Sequence, residues 1–440
     1  MYKMLPIQFE QKMKQLLNDE FDDYIKSFNK PIFQGLRVNT SKISLEEWNK
    51  INPFNTKPVP WCREGFYYCN EKVTKHPYYF AGLYYIQEPS AMSPAAYLPI
   101  EKDDYVLDLC AAPGGKSTQV GAKLGCDGIL VSNDISASRA KALVKNLDNF
   151  GINQAMVISE SPEKLASVWE GFFDKILIDA PCSGEGMFKK DNKAIKNWGS
   201  QDFSGLQQEI LINAGKLLKP GGYMMYSTCT FSADENEHII RNFLNDNANF
   251  ESVSMTAVGG IRSGENNSLR LWPHLLDGEG HFLCLMYKKN GNNLTSQYVG
   301  ANRCISDYKL VAEFIHANTY IPLSEPVMEI DGRVYLVSKN MPCANKIRVL
   351  RSGLLLGEIK KNRFEPSHAL SIAYAKELYK NTIDFMLSDA NIVKYLKGET
   401  LLVDKPKGYY VICVDGYPLG WAKSQNHMLK NQYPASWRIS

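Results

Sequence analysis

Nothing in these 440 residues approaches the run of roughly 20 apolar residues that crosses a bilayer. There is no Cys-x-x-Cys and no Cys/His grouping with zinc spacing, which argues against a structural metal and against a thioredoxin-like dithiol. Neither a G-x-G-x-x-G nor a Walker A sequence is present, so a nucleotide dehydrogenase or a P-loop ATPase is disfavoured. Internal repeats and low-complexity tracts are missing as well. The stretch Met1 to Asp19 lacks the continuous apolar core of a secretory signal: Lys3, Glu10, Lys12 and Lys14 interrupt it, and it reads as an amphipathic helix. The expected compartment is the cytoplasm, where the ten cysteines are free thiols and most of them, Cys284 and Cys413 for example, fill the core.

Charge of one sign is also scarce, with a net of only +3, but it is unevenly placed. Residues 301–440 hold 19 Lys and Arg against 13 Asp and Glu, an excess of +6 that leaves −3 on the rest. A basic C-terminal third suits contact with phosphates, and suits a plain solvated surface equally well. The composition is that of an ordinary folded chain, 44% hydrophobic and 22% charged, long enough for roughly two to four domains.

Four segments separate along the chain. Residues 1–98 start with helical patterns and pass through "LRVNT" (Leu36 to Thr40) into an aromatic stretch from Trp61 to Tyr85. Residues 99–290 alternate strand and helix signals. Buried strands are expected at Tyr105–Cys110, Gly128–Asp134, Gln154–Ser159, Phe173–Ala180 and Gly221–Cys229, with helices such as Ala137–Phe150 and Leu206–Leu218 between them. That alternation predicts an α/β fold with a parallel sheet covered on both faces. The polar, Asn/Gly-rich Lys288–Gln297 is a linker. A mixed segment, 298–365, precedes a small β-rich module at 366–440, with one helix at Ala369–Leu378 and β-like runs at Leu401–Asp404, Gly408–Gly416 and Pro418–Lys423.

Two places carry chemistry. In "VLDLCAAPGGKSTQ" (Val106 to Gln119) a strand ends at Cys110, a turn follows through Ala111, Ala112, Pro113, Gly114 and Gly115, and Lys116 opens a helix. Glycines there admit a ligand close to the backbone, and the helix start offers free N–H groups to an anion. The next strand ends in Asp134, placed to accept ribose hydroxyls or to cap the following helix. Glu160 after the third strand is placed to meet an adenine or to cap likewise. The second place is a pair of thiols. "DAPCSGEGMFKK" (Asp179 to Lys190) and "STCTF" (Ser227 to Phe231) put Cys182 and Cys229 at two strand ends of one sheet, able to face one crevice. The residues alone do not choose between the two thiols.

"DLCAAPGGKST", "DAPCSGEGMF" and "STCTF" resemble the Nol/Nop/Sun-type RNA cytosine-C5 methyltransferases, over roughly residues 30–290. The order of the remaining pieces is similar to the bacterial RsmF-like branch, with "HALSIAY", "GYYVICVDGYPLGWAK" and "YPASWR" resembling its PUA-like RNA-binding module. The resemblance implies a Rossmann-like class I fold with a mostly parallel seven-stranded sheet, a small N-terminal α+β domain, and C-terminal mixed and β-rich modules. It implies S-adenosyl-L-methionine as cofactor, held by Cys110 to Lys116, Asp134, Glu160 and Asp179. It makes Cys229 the nucleophile and Cys182 the cysteine that helps release product. Position 134 departs from the family's usual Glu by being Asp, a shorter reach to the ribose.

Cytosine chemistry gives two thiols separate tasks. Carbon 5 of a pyrimidine is a poor nucleophile until a thiolate adds to carbon 6, and the adduct resolves only when a base removes the carbon 5 proton. Asp179 is placed near ring N3, where an acid favours the adduct. The target base must be unpaired or turned out of its helix. Lys189, Lys190 and the tyrosines from Tyr78 to Tyr85 are candidate RNA contacts, although packing suits the tyrosines better. "IQEPS" (Ile86 to Ser90) resembles a family segment near the active site. The expected partner is RNA, 16S ribosomal RNA or the 30S subunit, read by a monomer with no metal and no membrane. The alternatives are a transfer RNA substrate, a non-catalytic RNA-binding or ribosome-assembly protein on the same frame, and a redox dithiol with a Cys182–Cys229 disulfide.

Overall fold

The computed structural model describes residues 5–69, 72–290, 308–330, 332–361, 363–425 and 427–439. Most of the expected linker, from residue 291 on, and the start of the mixed segment lie outside them.

Seven strands form the central sheet: β1 (Tyr105–Asp108), β2 (Ile129–Asn133), β3 (Ala155–Ile158), β4 (Phe173–Asp179), β5 (Leu218–Thr228), β6 (Phe250–Val253) and β7 (His281–Lys288). Their order across the sheet is β6-β7-β5-β4-β1-β2-β3, parallel from β5 to β3, with β7 antiparallel to β5 and β6 antiparallel to β7. The parallel strands are largely apolar on both sides because both faces are covered, whereas the outer β6 exposes Glu251. Val106, Leu130, Val157, Leu177, Met225 and Leu283 pack on one face against α1 (Gly115–Lys123) and α2 (Ala137–Phe150). Leu107, Val131, Ile158, Ile176, Met224 and Phe282 pack on the other against α3 (Pro162–Trp169), α4 (Ser204–Leu217) and α5 (Glu237–Asp246).

The expected strands fall within a residue or two of those observed, with two differences of consequence. β1 stops at Asp108, so Leu109 and Cys110 belong to the cofactor turn. β5 starts at Leu218, ahead of the glycines, and stops at Thr228, which leaves Cys229 just past its end. The sheet is also wider than the seven core strands. A hairpin of Arg262–Ser263 and Leu269–Leu271 adds to the outer edge of β7, and β8 (Val349–Ser352), from the mixed segment, pairs antiparallel with β3.

The N-terminal segment has two helices, Ile7–Leu17 and Phe21–Ser27, followed by a four-stranded antiparallel sheet with one helix, Leu45–Ile51, opened by a Ser44–Glu47 capping box. The first helix buries Phe9 and Met13 against Phe188 and Trp198, beside the turn that carries Cys182. After β8 the chain completes a second four-stranded sheet and ends in a third, of strands Thr382–Phe385, Gly408–Val414, Tyr417–Gln425 and Met428–Asn431. The expected helix at Ala369–Leu378 is a shorter helix, His368–Ile372, and a separate helical turn, Lys376–Leu378, because Ala375 between them is extended. The expected run at Leu401–Asp404 pairs only at Leu401, with Leu429. This last module packs back on the N-terminal sheet, where Trp48, Tyr84, Ile392 and Tyr395 share one core and Tyr78 Oη donates to Asp415 at 2.7 Å. Cys284 and Cys413 are buried, as expected of core thiols. No helix among the described residues is long and apolar enough to cross a membrane.

One ion pair anchors β8. Arg351 is 2% exposed and sits 2.8 Å from Asp148 of α2, while its other nitrogens donate to the carbonyls of Ala155 and Ile152. Removing one member of such a pair strands a buried charge. Arg351→Met should therefore cost about 3–5 kcal/mol in thermal or denaturant unfolding, and adding Asp148→Asn should recover much of the loss. A single variant with unchanged stability would contradict the assignment.

Candidate active site

The two thiols meet because β4 and β5 are parallel neighbours with Asp179 beside Ser227. The Ala180 N–H donates to Ser227 O at 2.9 Å and carries the pairing past the strand ends. The chain after Cys182 then turns through Gly184, at φ +69°, and the Gly186 N–H donates to Cys229 O at 2.8 Å. A Cβ on Gly186 would stand 2.9 Å from that oxygen, so the close approach requires glycine. The result is a Cys182–Cys229 sulfur separation of 3.4 Å, with both residues half-buried and both free thiols. Glu185, in the same turn, is buried and accepts from Lys12 and Trp198 and from the Phe231 N–H, tying the N-terminal helix to the site.

Asp179 closes one side. Lys116 Nζ lies 2.7 Å from Oδ2, Ser227 Oγ donates to Oδ1 at 3.0 Å, and His281 Nε2 lies 3.4 Å from Oδ1. Burial acts to raise this carboxyl, but Lys116 and His281 outweigh it and hold it well below the usual carboxylate range. Lys116 is raised in turn, because Asp179, Asp108 and Cys229 outweigh its desolvation. Cys182 is raised well above an ordinary thiol, first by its hydrogen bond to Cys229, then by burial and by the charges of Cys229 and Glu235.

An open cleft adjoins Asp179. Cys110, Ala111, Ala112, Pro113, Gly115 and Lys116 line it, with Asp108 beneath and Tyr85, Gln87 and Glu88 of the N-terminal segment opposite. Gly114 takes φ +111° to start α1, and Arg37 braces the turn by donating to Gly115 O, Thr118 Oγ1 and Gln87 Oε1. Asp108 accepts from Ser117 at 2.6 Å through one oxygen and leaves the other buried without a partner. Burial pushes it up to about 7, with Ser117 opposing. An unpartnered carboxylate oxygen at the cleft fits the α-ammonium of S-adenosylmethionine, and the glycine turn and helix start fit its carboxylate.

Of the residues singled out from sequence, Cys182, Cys229, Asp179 and Lys116 converge, and Cys110 to Pro113, Gly115 and Lys116 wall the adjoining cleft, whereas Gly114 turns the chain into α1 without lining it. Asp134 and Glu160 lie outside that wall. Asp134 Oδ1 accepts from the Ser136 N–H, and its Oδ2 accepts from the Ala112 N–H and pairs with Arg139. Glu160 Oε1 takes Lys164 at 2.6 Å and the Arg348 N–H at 2.8 Å. Tyr78 and Tyr84 are packing residues, whereas Tyr85 faces the cleft. Lys189 donates to Pro31 O, and Lys190 stands 3.8 Å from Glu279. Asp108, Arg37, Glu235 and His281 were not singled out. The acid inside "DLC" and the acidic "DENE" after "STCTF" were visible signals, but nothing local marked Arg37 or His281. Among the described residues no group of His, Cys, Asp and Glu side chains is arranged to hold a metal ion.

Known proteins match along the whole chain. The family profile described as 16S rRNA methyltransferase RsmB/F covers residues 95–287. Profiles for the N-terminal domain of 16S rRNA methyltransferase RsmF, the RsmF rRNA methyltransferase first C-terminal domain and the methyltransferase RsmF PUA domain cover 5–89, 313–373 and 382–439. A ribosomal RNA small subunit methyltransferase F from Erwinia tasmaniensis is 30% identical over 98% of this chain and 96% of its own. Its namesake from Shewanella oneidensis is 31% identical over 94% and 92%. A solved methyltransferase homolog from Pyrococcus horikoshii is 31% identical, with a TM-score of 0.57 over 64% of this chain and 95% of its own. With that span, fold and cleft, the chain belongs to the RsmB/F family of S-adenosylmethionine-dependent RNA methyltransferases, which act on carbon 5 of cytosine.

Proposed function

We propose that this enzyme methylates a cytosine of 16S ribosomal RNA through a covalent adduct on Cys229, with Cys182 assisting release. The observation that carries the reading is the pair of sulfurs 3.4 Å apart beside Asp179 and Lys116. Electrostatics distinguish the thiols. Cys229 lies close enough to the Lys116 ammonium for their charges to couple, whereas Cys182 faces Glu235. A thiolate next to a cation is the stabler one, which favours Cys229 as nucleophile.

The Cys229 thiolate forms a bond to carbon 6, N3 takes a proton from solvent, and electron density gathers at carbon 5. Asp179, held ionised, stabilises the protonated ring rather than supplying the proton. Bound S-adenosylmethionine supplies an electrophilic methyl group. Removal of the carbon 5 proton then restores the ring double bond, returns the N3 proton to solvent and expels Cys229 as thiolate. Cys182 is the base for that step. While Cys229 is a free thiolate, Cys182 donates a hydrogen bond to it and stays protonated. Once Cys229 is bonded to carbon 6 that restraint is gone, and Cys182 gives its own proton to solvent before taking the one from carbon 5.

Cys110 to Lys116 and Asp108 are assigned to the methionine end of the cofactor, Asp134 to its ribose and Glu160 to the adenine end. For Glu160 to serve, its carboxylate must share the Lys164 and Arg348 contacts. Segments 1–98, 99–290, 298–365 and 366–440 are assigned as an RNA-binding accessory domain, the catalytic domain, an RsmF-type segment and a PUA-like RNA-binding module. The full-length similarity to proteins named for the small ribosomal subunit supports 16S RNA over transfer RNA, and a cytoplasmic monomer is in keeping with that substrate.

Three outcomes are expected. Cys182→Ala should trap an RNA–protein adduct that survives a denaturing gel, and Cys229→Ala should yield neither adduct nor product; the reverse pattern would exchange the roles. Because Asp108 titrates near 7 when empty and is ionised against an ammonium, affinity for S-adenosylhomocysteine should rise about tenfold from pH 6 to pH 8 by calorimetry. Asp108→Asn should flatten that rise, and a pH-independent wild type would dismiss the contact. Methyl transfer assayed on 30S subunits, naked 16S RNA and bulk transfer RNA, with sites read by bisulfite sequencing, should label 16S RNA; label in transfer RNA instead would overturn the substrate.

A further inference from the structure

One buried carboxylate beside the thiols is left unused by these steps. Glu235, just ahead of α5, is 7% exposed. Its Oε2 accepts the Ser183 backbone N–H at 2.9 Å and Gln207 Nε2 at 3.0 Å, and its Oε1 accepts the Ser183 hydroxyl at 2.5 Å. Ser183 directly follows Cys182, and its Oγ lies 2.7 Å from Oγ1 of Thr230, which directly follows Cys229. Gln207 also donates to the carbonyl of Pro181, directly before Cys182, at 2.8 Å. Both chain neighbours of Cys182 and one of Cys229 are therefore gathered around a single carboxylate. Three donors compensate its burial.

The groups facing Cys182 are Tyr226 of β5, Cys229 just past the end of that strand, the Gly184 N–H of its own turn, and Glu235. Of these, Glu235 carries the negative charge that no step of the reaction removes. Cys229 in turn interacts with the ammonium of Lys116, which is paired with Asp179. The two sulfurs thus meet different charges, an anion at Cys182 and an ion-paired ammonium at Cys229.

We propose that Glu235 is a positioning residue that keeps the two thiols unequal, locking the turns that carry them and presenting its charge to Cys182. This rests on the division of roles proposed above. It explains how two thiols in van der Waals contact keep distinct tasks: one is free to attack, and the other is held as the delayed base.

The test uses the full chain. Iodoacetamide alkylation of each cysteine, followed by peptide mass spectrometry from pH 6 to pH 10, reads thiol ionisation without any turnover. In Glu235→Gln, Cys182 alkylation at pH 8 should rise about tenfold while Cys229 changes by less than about twofold. The same variant should lose at least about tenfold in kcat and keep its KM for S-adenosylmethionine within about twofold. Glu235→Asp, which keeps the charge, should restore the low Cys182 alkylation. Unchanged Cys182 alkylation in Glu235→Gln, or an equal rise in both variants, would overturn the proposal. Absence of adduct in Cys182→Ala would instead remove the assigned roles, a result separable from the alkylation profile.

Discussion

Two thiols 3.4 Å apart in a half-buried crevice cannot both carry a negative charge. At an effective dielectric of about 20 their repulsion would be about 5 kcal/mol, enough to separate their ionisations by more than about three pH units. Ionisation of one sulfur therefore holds the other protonated, and the surrounding charges bear on which of them ionises. Lys116 stands with Cys229 and Glu235 with Cys182. The rest of the site follows from this inequality. In the proposed mechanism one sulfur attacks the ring, and the other serves as a base only once the first is bonded to it.

The sheet makes the meeting possible, and the outer modules hold it. Parallel pairing of β4 with β5 brings two residues separated by 47 positions to one edge. The N-terminal segment contributes Arg37 under the cofactor turn, Tyr85 and Gln87 to the cleft wall, and Lys12 to the buried Glu185 beside Cys182. The C-terminal half closes the other end of the sheet through β8 and Arg351, and its last module leans on the N-terminal sheet. The module that matches the RsmF PUA profile is thereby attached to the same body that carries the paired thiols.

Much of this was legible in the residues. Continuous apolar strands ending in Gly, Pro or Cys signals located the sheet, the cofactor turn and both thiols, because those features are local and both faces of a parallel sheet are buried. Choosing between the thiols was not possible from the residues, since the choice depends on Lys116 and Glu235, which lie far from Cys182 along the chain. The antiparallel partners were also hidden. β7 reads as an apolar run, but its place beside β5 is a tertiary fact, and β8 joins β3 from a segment almost two hundred residues later. The position after a strand suits Asp134 and Glu160 to a ligand or to a cap, and it gives each a local partner, the Ser136 N–H for Asp134 and the Lys164 ammonium for Glu160, while the Arg348 N–H reaches Glu160 from far along the chain. The packing of the last module on the N-terminal sheet left no local trace, because its contacts, such as Tyr78 with Asp415, join opposite ends of the chain.

The central claim is that Cys229 is the sulfur that bonds to the ring. It is tested most directly with wild-type enzyme, S-adenosylmethionine and 16S RNA carrying 5-fluorocytidine, whose carbon 5 has no proton to lose, so that the adduct persists after methyl transfer. Nuclease and protease digestion followed by mass spectrometry locates the modified residue. The account predicts the methylated fluorocytosine on the peptide containing Cys229; the same base on the peptide containing Cys182 would contradict it.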